Sequence, residues 1–342
     1  MRGVVFVLIF VLSAWAGSLL PSCETLTFRA EKIYGASPPV NYMLYSVDPS
    51  LMAGLNFELW DHEKAFMEEV AGLPILGGWF GQGRTPNMEM VAKVRPDLVM
   101  VWNYRADYER IVAGLGQLDI PACYMELNVL EDYPAAYRTI GRITGRNARG
   151  EALAEDFSGR LARLKKRAAE HAAKQKVKVY YAQGMDGLRT ECHTSVHAEL
   201  IEAAGAYNVH RCVQQSAFGM EQITAEALLS YDPDVIIVHQ PAFFERVWDD
   251  PRFKSLRAVR EKRVYQIPRV PINWFDRPPS FMRILGLEWL MAILYPEAGL
   301  DVESSAKRFF RTYTGHDLDE AELADILRGG PKCVGYDKKG NQ

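Results

Sequence analysis

Beyond residue 30 the chain alternates short apolar runs with longer stretches whose apolar positions recur every three or four residues. The short runs at 32–34, 98–102, 122–125, 177–183, 235–240 and 263–267 are strand candidates. Between them, 63–70, 87–94, 196–204 and 225–230 carry the helical period. This alternation predicts an α/β fold of two lobes, each with a central, mainly parallel sheet covered by helices. One segment breaks the rhythm. From 147 to about 174 there is no proline, and Leu153, Phe157, Leu161, Leu164 and Ala168 fall on one helical face. Its 28 residues make a helix about 42 Å long at 1.5 Å per residue. Thr144-Gly145 separates it from a preceding helical stretch at 134–143. One long helix between two sheets is expected to join the lobes and limit how far they swing.

The pattern also repeats. Residues 86–101 read PNMEMVAKVRPDLVMV, and residues 223–238 read ITAEALLSYDPDVIIV. Each is helix, Pro-Asp, then an apolar strand, and in each a glutamate (Glu89, Glu226) stands seven residues before the proline. The residue before a proline is pushed out of the helical region, so the helix ends there and a buried strand follows.

The repeat, the helix interposed between its copies, the run AELIEAAGAYNV at 198–209 and the segment NWFDRPPS at 273–280 resemble the helical-backbone (class III) periplasmic solute-binding proteins. Those proteins serve ferric-siderophore, haem and cobalamin ABC importers. The resemblance covers roughly residues 30–315. It implies a monomer that captures a small molecule between its lobes and hands it to an ABC importer permease. Glu89 and Glu226 would then be the permease-docking carboxylates, one per lobe. As bare residues they are solvated helix glutamates. Two separated like charges fit docking because they fix orientation and speed encounter.

Length and composition agree with this organisation. The 342 residues favour two domains, and 48% hydrophobic with 24% charged residues supplies an ordinary globular core. A net charge of −3 with no basic stripe gives no reason to expect nucleic acid. At the N-terminus Arg2 precedes an apolar run at 4–15 that is short for a bilayer span. Ala14-Trp15-Ala16 offers a small-x-small cleavage site, whereas Leu20-Pro21-Ser22-Cys23 is similar to a bacterial lipobox, although Pro21 departs from its usual small residue. The expected layout is a signal peptide at 1–22, an N-terminal lobe at 30–133, a connecting helical segment at 134–174, a C-terminal lobe at 175–330 and a tail at 331–342. The mature protein would be periplasmic or at the cell surface, with the membrane reached only through a lipid on Cys23. If Cys23 is lipidated, Cys123, Cys192, Cys212 and Cys333 remain, and Cys192–Cys212 is the first disulfide to test. Free thiols are the other reading, and the spacing does not match a structural zinc site.

The cleft of such a fold lies at the C-terminal ends of its strands. In the first lobe this singles out Trp79, inside a glycine-rich stretch that lacks the Gly-Lys-Ser/Thr ending of a phosphate loop, and Trp102, Tyr104 and Arg105. Trp79 is equally able to plug the core. In the second lobe it singles out Arg189, His193, Trp274 and Arg277. Ser195 can cap the helix that follows, which puts His193 before its start and His197 in its first turn. The two histidines can ligate a metal, or serve as surface and capping groups. Guanidinium forks suit carboxylate or catecholate oxygens, and aromatic rings suit the organic face of a chelate; Asp276 can instead occupy Arg277 as an ion-pair partner. No intrinsic cofactor is expected. The ligand is expected to be a metal chelate, a ferric siderophore first, with haem, cobalamin or a nickel or cobalt chelate as alternatives. No Gly-x-Ser-x-Gly, His-Glu-x-x-His or Walker sequence is present. An exported enzyme built on Glu191, Cys192 and His193 is the competing class. A nitrogenase-like metallocluster scaffold is disfavoured by the leader and by the lack of a matching cysteine set.

Overall fold

The computed structural model of the protein describes residues 20–79, 85–104, 108–116, 118–214 and 219–328. The signal-peptide run before residue 20, the stretch 80–84, Arg105, Cys333 and the tail lie outside the described residues.

The first lobe runs β1 (Ile33–Gly35), α1 (Pro38–Val47), α2 (Asp61–Phe66), α3 (Met88–Val94), β2 (Leu98–Trp102), α4 (Tyr108–Leu115) and β3 (Ala122–Met125). Its sheet has the order β1-β2-β3 and is parallel throughout. Two packed helices follow, α5 (Asp132–Thr144) and α6 (Asn147–Ala172). The second lobe runs β4 (Lys178–Ala182), β5 (Arg189–Thr190), α7 (Glu199–Ala203), β6 (Tyr207–Asn208), β7 (Glu221–Gln222), α8 (Ala225–Tyr231), β8 (Val235–Val238), α9 (Pro241–Arg246), α10 (Arg257–Arg260) and β9 (Val264–Gln266). Its main sheet is parallel, in the order β6-β4-β8-β9, and β5 and β7 form a small antiparallel pair beside it. Helices α11 (Arg283–Leu294), α12 (Val302–Thr314) and α13 (Glu320–Leu327) close the chain. The α/β class read from the sequence is therefore the observed one. Among the described residues no helix is long and apolar enough to cross a membrane.

The interposed helix α6 has 26 residues and buries Leu153, Phe157, Leu161, Leu164 and Ala168, the face read from periodicity. It packs on α5 through Tyr133 and Phe157, whose rings stack with centroids 5.0 Å apart. The helices approach closely at Gly141 and Gly150: a Cβ on Gly150 would lie 2.6 Å from the Tyr137 carbonyl oxygen. Glycine is required there because the partner is backbone and cannot yield. One apolar cluster continues from Ile33 and Met100, through Phe157 and Leu164, to Val179 and Ile237. A core shared by both sheets physically supports restricted lobe opening, because swinging the lobes far apart would expose it.

Helix α1 is not signalled by periodicity. Every residue of it is buried, so no polar face marks the helical period in the sequence.

Candidate ligand-binding cleft

Strand β2 ends on Trp102, whose indole N–H donates to Asn128 Oδ1 at 3.2 Å. Tyr104 folds back so that the two rings stack, 4.4 Å apart and 11° from parallel. The pair makes a flat aromatic platform at the C-terminal edge of the first sheet. Trp79 is half-buried against the core of that lobe, with its backbone N–H donating to the Ala36 carbonyl at 2.9 Å. Across from the platform, the edge of Tyr104 meets His197 at 6.2 Å between ring centroids. A cavity of about 500 Å³ opens between the lobes, lined by Asn103, Tyr104 and Asn128 on one side, His193 and Ser195 on the other, and Lys165 of α6. Tyr104 and His193, picked out from opposite halves of the sequence, thus face one cavity.

The second lobe presents a buried ionic network behind this wall. Glu191, fully buried, is held by the Arg277 guanidinium, by the Ser195 hydroxyl at 2.9 Å and by the Met220 backbone N–H at 3.0 Å. Asp276, also fully buried, lies 3.1 Å from His197 Nδ1 and 3.4 Å from Arg277 Nε, and accepts from the Tyr181 hydroxyl at 2.5 Å. Burial opposes the Asp276 charge, but the hydrogen bond from His197 and the neighbouring Arg277 charge together hold its carboxyl below the ordinary range. His239 stands at the end of β8 beside Tyr181 and Asn273, and burial depresses its imidazole to about 3. At neutral pH it is therefore an uncharged donor–acceptor. This network was missed in the sequence because Tyr181, Glu191 and His239 come from three separate strand ends that only the fold brings together.

Several expected site residues move. Trp274 is fully buried, its indole N–H donates to the Val270 carbonyl at 2.9 Å, and its ring packs on Phe310. The chain there lies so close to α11 that a Cβ on Gly286 would fall 1.8 Å from the Trp274 carbonyl oxygen. Trp274 is core, not cleft, because it anchors this loop against the closing helices. Arg277 is engaged by Glu191 and Asp276 as an ion-pair partner, so its fork is directed inward rather than offered to a ligand. Arg189 is exposed on the small β5–β7 pair. Ser195 does cap, accepting from the His197 N–H at 3.2 Å ahead of a 3₁₀ turn, Val196–Ala198. The capping separates the two histidines: His197 turns to Asp276, while His193 lines the cavity. Among the described residues neither belongs to a cluster of three candidate metal-ligand atoms.

Cysteine chemistry is corrected too. Cys23 is disulfide-bonded to Cys123 and buried, and the segment before it pairs with the edge of β3 through Ser22 and Tyr124. A sulfur in a disulfide cannot also carry a thioether lipid, so the lipidation of Cys23 falls. Cys192 and Cys212 form the second disulfide, the pair singled out from sequence. With Cys192 oxidised and Glu191 held by three partners, the nucleophile–base scheme on this cluster lacks its parts.

The docking candidates keep their symmetry. Glu89 and Glu226 are exposed in the first turns of α3 and α8. Asn87 Oδ1 caps the Met90 N–H at 3.0 Å, and Thr224 Oγ1 caps the Ala227 N–H at 3.2 Å. Both helices end on a left-handed residue, Arg95 and Asp232. Next, the Asp97 carboxylate accepts from the Lys32 backbone N–H at 2.9 Å, and that of Asp234 from the Lys178 N–H at 2.8 Å. The repeat is thus one local structure built twice.

Comparison with known proteins agrees with this geometry. Residues 79–271 match the family described as periplasmic binding protein. An ABC transporter solute binding protein from Sulfurospirillum deleyianum DSM 6946 superposes with a TM-score of 0.84 at 36% identity, covering 89% of this chain and 95% of that one. A molybdate-bound periplasmic binding protein of Haemophilus influenzae shares the fold at TM-score 0.73 and 18% identity, over 89% and 99% of the two chains. A vitamin B12-binding protein of Salmonella typhi is 23% identical over 267 residues, 76% of this chain and 89% of its own length. The chain belongs to the periplasmic binding proteins, which capture solutes for ABC importers rather than transform them.

Proposed function

We propose that the protein captures a compact metal chelate, a ferric siderophore first, in the inter-lobe cavity and delivers it to the permease of an ABC importer. The observation that carries this reading is Tyr104, backed by the stacked ring of the buried Trp102, facing His193 across a cavity of about 500 Å³. That volume lies within the ~300–1,000 Å³ usual for small-molecule sites. The Tyr104 ring packs on the organic body of a chelate, while Lys165 and the second amide hydrogen of Asn103 supply donors for anionic or carbonyl oxygens; both amide hydrogens of Asn128 are taken by the Asn103 carbonyl and Glu126. His193, on the cavity wall, would complete the coordination of a metal that its chelator leaves open. Glu89 and Glu226, exposed on matched units of the two lobes, would dock on the permease.

A corrinoid is the second reading, favoured by the vitamin B12-binding relative. Titration of the purified protein with ferric siderophores and with cobalamin, followed by tryptophan fluorescence, separates the two. A ferric chelate that binds wild type tightly and Tyr104→Ala at least about tenfold more weakly, a loss of about 1.4 kcal/mol, supports the first reading. Binding of cobalamin alone favours the second. Replacing His193 with Ala should shift the visible spectrum of the bound chelate; an unchanged spectrum rejects direct coordination.

A further inference from the structure

We propose that Cys192, Cys212 and His210 form a redox-gated cation site, which takes up a borderline divalent metal, zinc first, once a dithiol donor has reduced the Cys192–Cys212 disulfide. This site borders the ligand cavity, whose lining includes His193 and Gln214 beside the two cysteines, but Cys192, His210 and Cys212 do not line it. The two sulfurs and a ring nitrogen of His210 lie within 4.8 Å of one another, and among the described residues they are the three ligand-type atoms that converge. Around a tetrahedral zinc, with Zn–S near 2.3 Å and Zn–N near 2.0–2.1 Å, such donors stand about 3.5–3.8 Å apart. Breaking the Sγ–Sγ bond lets the sulfurs part to that spacing. Cys212 sits in a stretch without regular secondary structure, so small backbone adjustments there disturb no ladder.

The surroundings favour a cation. The Glu191 and Glu221 carboxylates both act on His210 as negative charges. The Tyr231 hydroxyl stands 3.0 Å from Nδ1. When it accepts from Nδ1–H, the Nε2 lone pair is left for a metal, as the outer hydrogen bonds of metal-bound histidines commonly arrange. The backbone is fixed on both sides: the His193 N–H donates to the His210 carbonyl at 3.1 Å, and the His210 N–H donates to Asn208 Oδ1 at 3.0 Å. Three protein donors leave a fourth tetrahedral position to water.

The chemistry balances. A dithiol gives two electrons and two protons, becomes a disulfide itself, and leaves Cys192 and Cys212 as thiols. The metal then displaces both thiol protons to solvent, giving two thiolate bonds and one imidazole bond. Thiolates select zinc over magnesium or calcium.

The test uses the full chain, metal-free and without added ligand, reduced or unreduced, titrated with zinc against a chromophoric chelator. One zinc equivalent that appears only after reduction, weakens at least about tenfold in His210→Ala and disappears in Cys212→Ser is the expected result. Cobalt in its place should give the intense thiolate-to-metal absorption of a tetrahedral site. No reduction-dependent equivalent overturns the proposal. So does an equivalent that survives unchanged in Cys212→Ser, since other cysteines would then hold it. His210→Ala keeps the disulfide until reduction, and its circular dichroism before and after treatment shows that lost binding is not lost fold.

Discussion

In the first lobe, the strand that follows Pro96-Asp97 ends on Trp102, and Tyr104 stacks against it. In the second, the strand that follows Pro233-Asp234 ends one residue before His239, and what gathers there is Tyr181, Asp276, Arg277 and Glu191. Upstream the two units match cap for cap, down to the aspartate that accepts a backbone N–H from the neighbouring strand. Downstream they share no chemistry. The helix ends must look alike if both lobes meet one permease, whereas the strand ends are free to diverge: a stacked aromatic pair stands at the cavity edge in one lobe, and a buried ionic network lies behind the cavity wall in the other.

The largest expected effect comes from breaking the wall. Arg277→Ala strands Glu191 and Asp276, both fully buried, without their guanidinium. Removing one partner of a buried pair costs about 3–5 kcal/mol, read as a lower midpoint in urea unfolding. The double change Glu191→Gln with Arg277→Met should recover much of that loss. A cost under about 1 kcal/mol for the single change would show that the network is dispensable, since surface pairs behave that way.

Next in size is an opposed pH response of the two lobes. His239 has an ordinary value of 6.5 but titrates at about 3 in the folded chain, chiefly through burial. The unfolded chain therefore takes up this proton first, and stability falls as pH drops from about 6.5 towards 3. Glu63 in the first lobe goes the other way: burial lifts it from 4.5 to about 7. Its neutral form stabilises the fold below 4.5, and that contribution is lost as pH rises through about 7. Glu63→Gln should raise stability at pH 8 by on the order of 2 kcal/mol, and His239→Gln should flatten the acid limb by a similar amount. Unfolding curves at pH 4, 6 and 8 check both signs.

Smaller still is the difference between the paired aspartates. Asp234 is nearly buried and also lies 2.6 Å from Arg257, whereas Asp97 is exposed. Asp234→Ala should cost about 1–3 kcal/mol and Asp97→Ala less, since exposed acceptors are replaced by water. At the far end of the scale, Glu89→Lys with Glu226→Lys should leave stability within about 0.5 kcal/mol and ligand affinity unchanged, yet abolish uptake in cells. Lost affinity would contradict the docking role.

These contrasts also mark what could be read from the sequence. Strands β1, β2, β3, β4, β8 and β9, the interposed helix and the repeated Pro-Asp units were legible because each is governed by local period and punctuation, whereas the two-residue strands β5, β6 and β7 are too short to show a period. The strand at 98–102 matches residue for residue, and the long helix differs only at its last two positions. Helix α1 was silent because burial on all sides erased its polar face. Tyr104 and His193 line one cavity, a placement that their position just past strand ends signals in the sequence. Trp274 and Arg277 were misplaced for a shared reason: residue type says what a side chain can bind but not which way its loop faces. Here the loop turns inward, and Trp274 fills the core while Arg277 answers Glu191. The Cys23–Cys123 disulfide spans 100 residues and left no local trace beside a sequence that resembles a lipidation site.

The most direct test of capture between the lobes is native mass spectrometry, with metal analysis, of the protein isolated from the periplasm of its own host. The predicted result is one small chelate and one equivalent of metal per chain, released intact on unfolding and bound at least about tenfold more weakly by Tyr104→Ala. Protein that carries no small molecule even from metal-replete cells, or that releases its ligand chemically altered, would contradict the account.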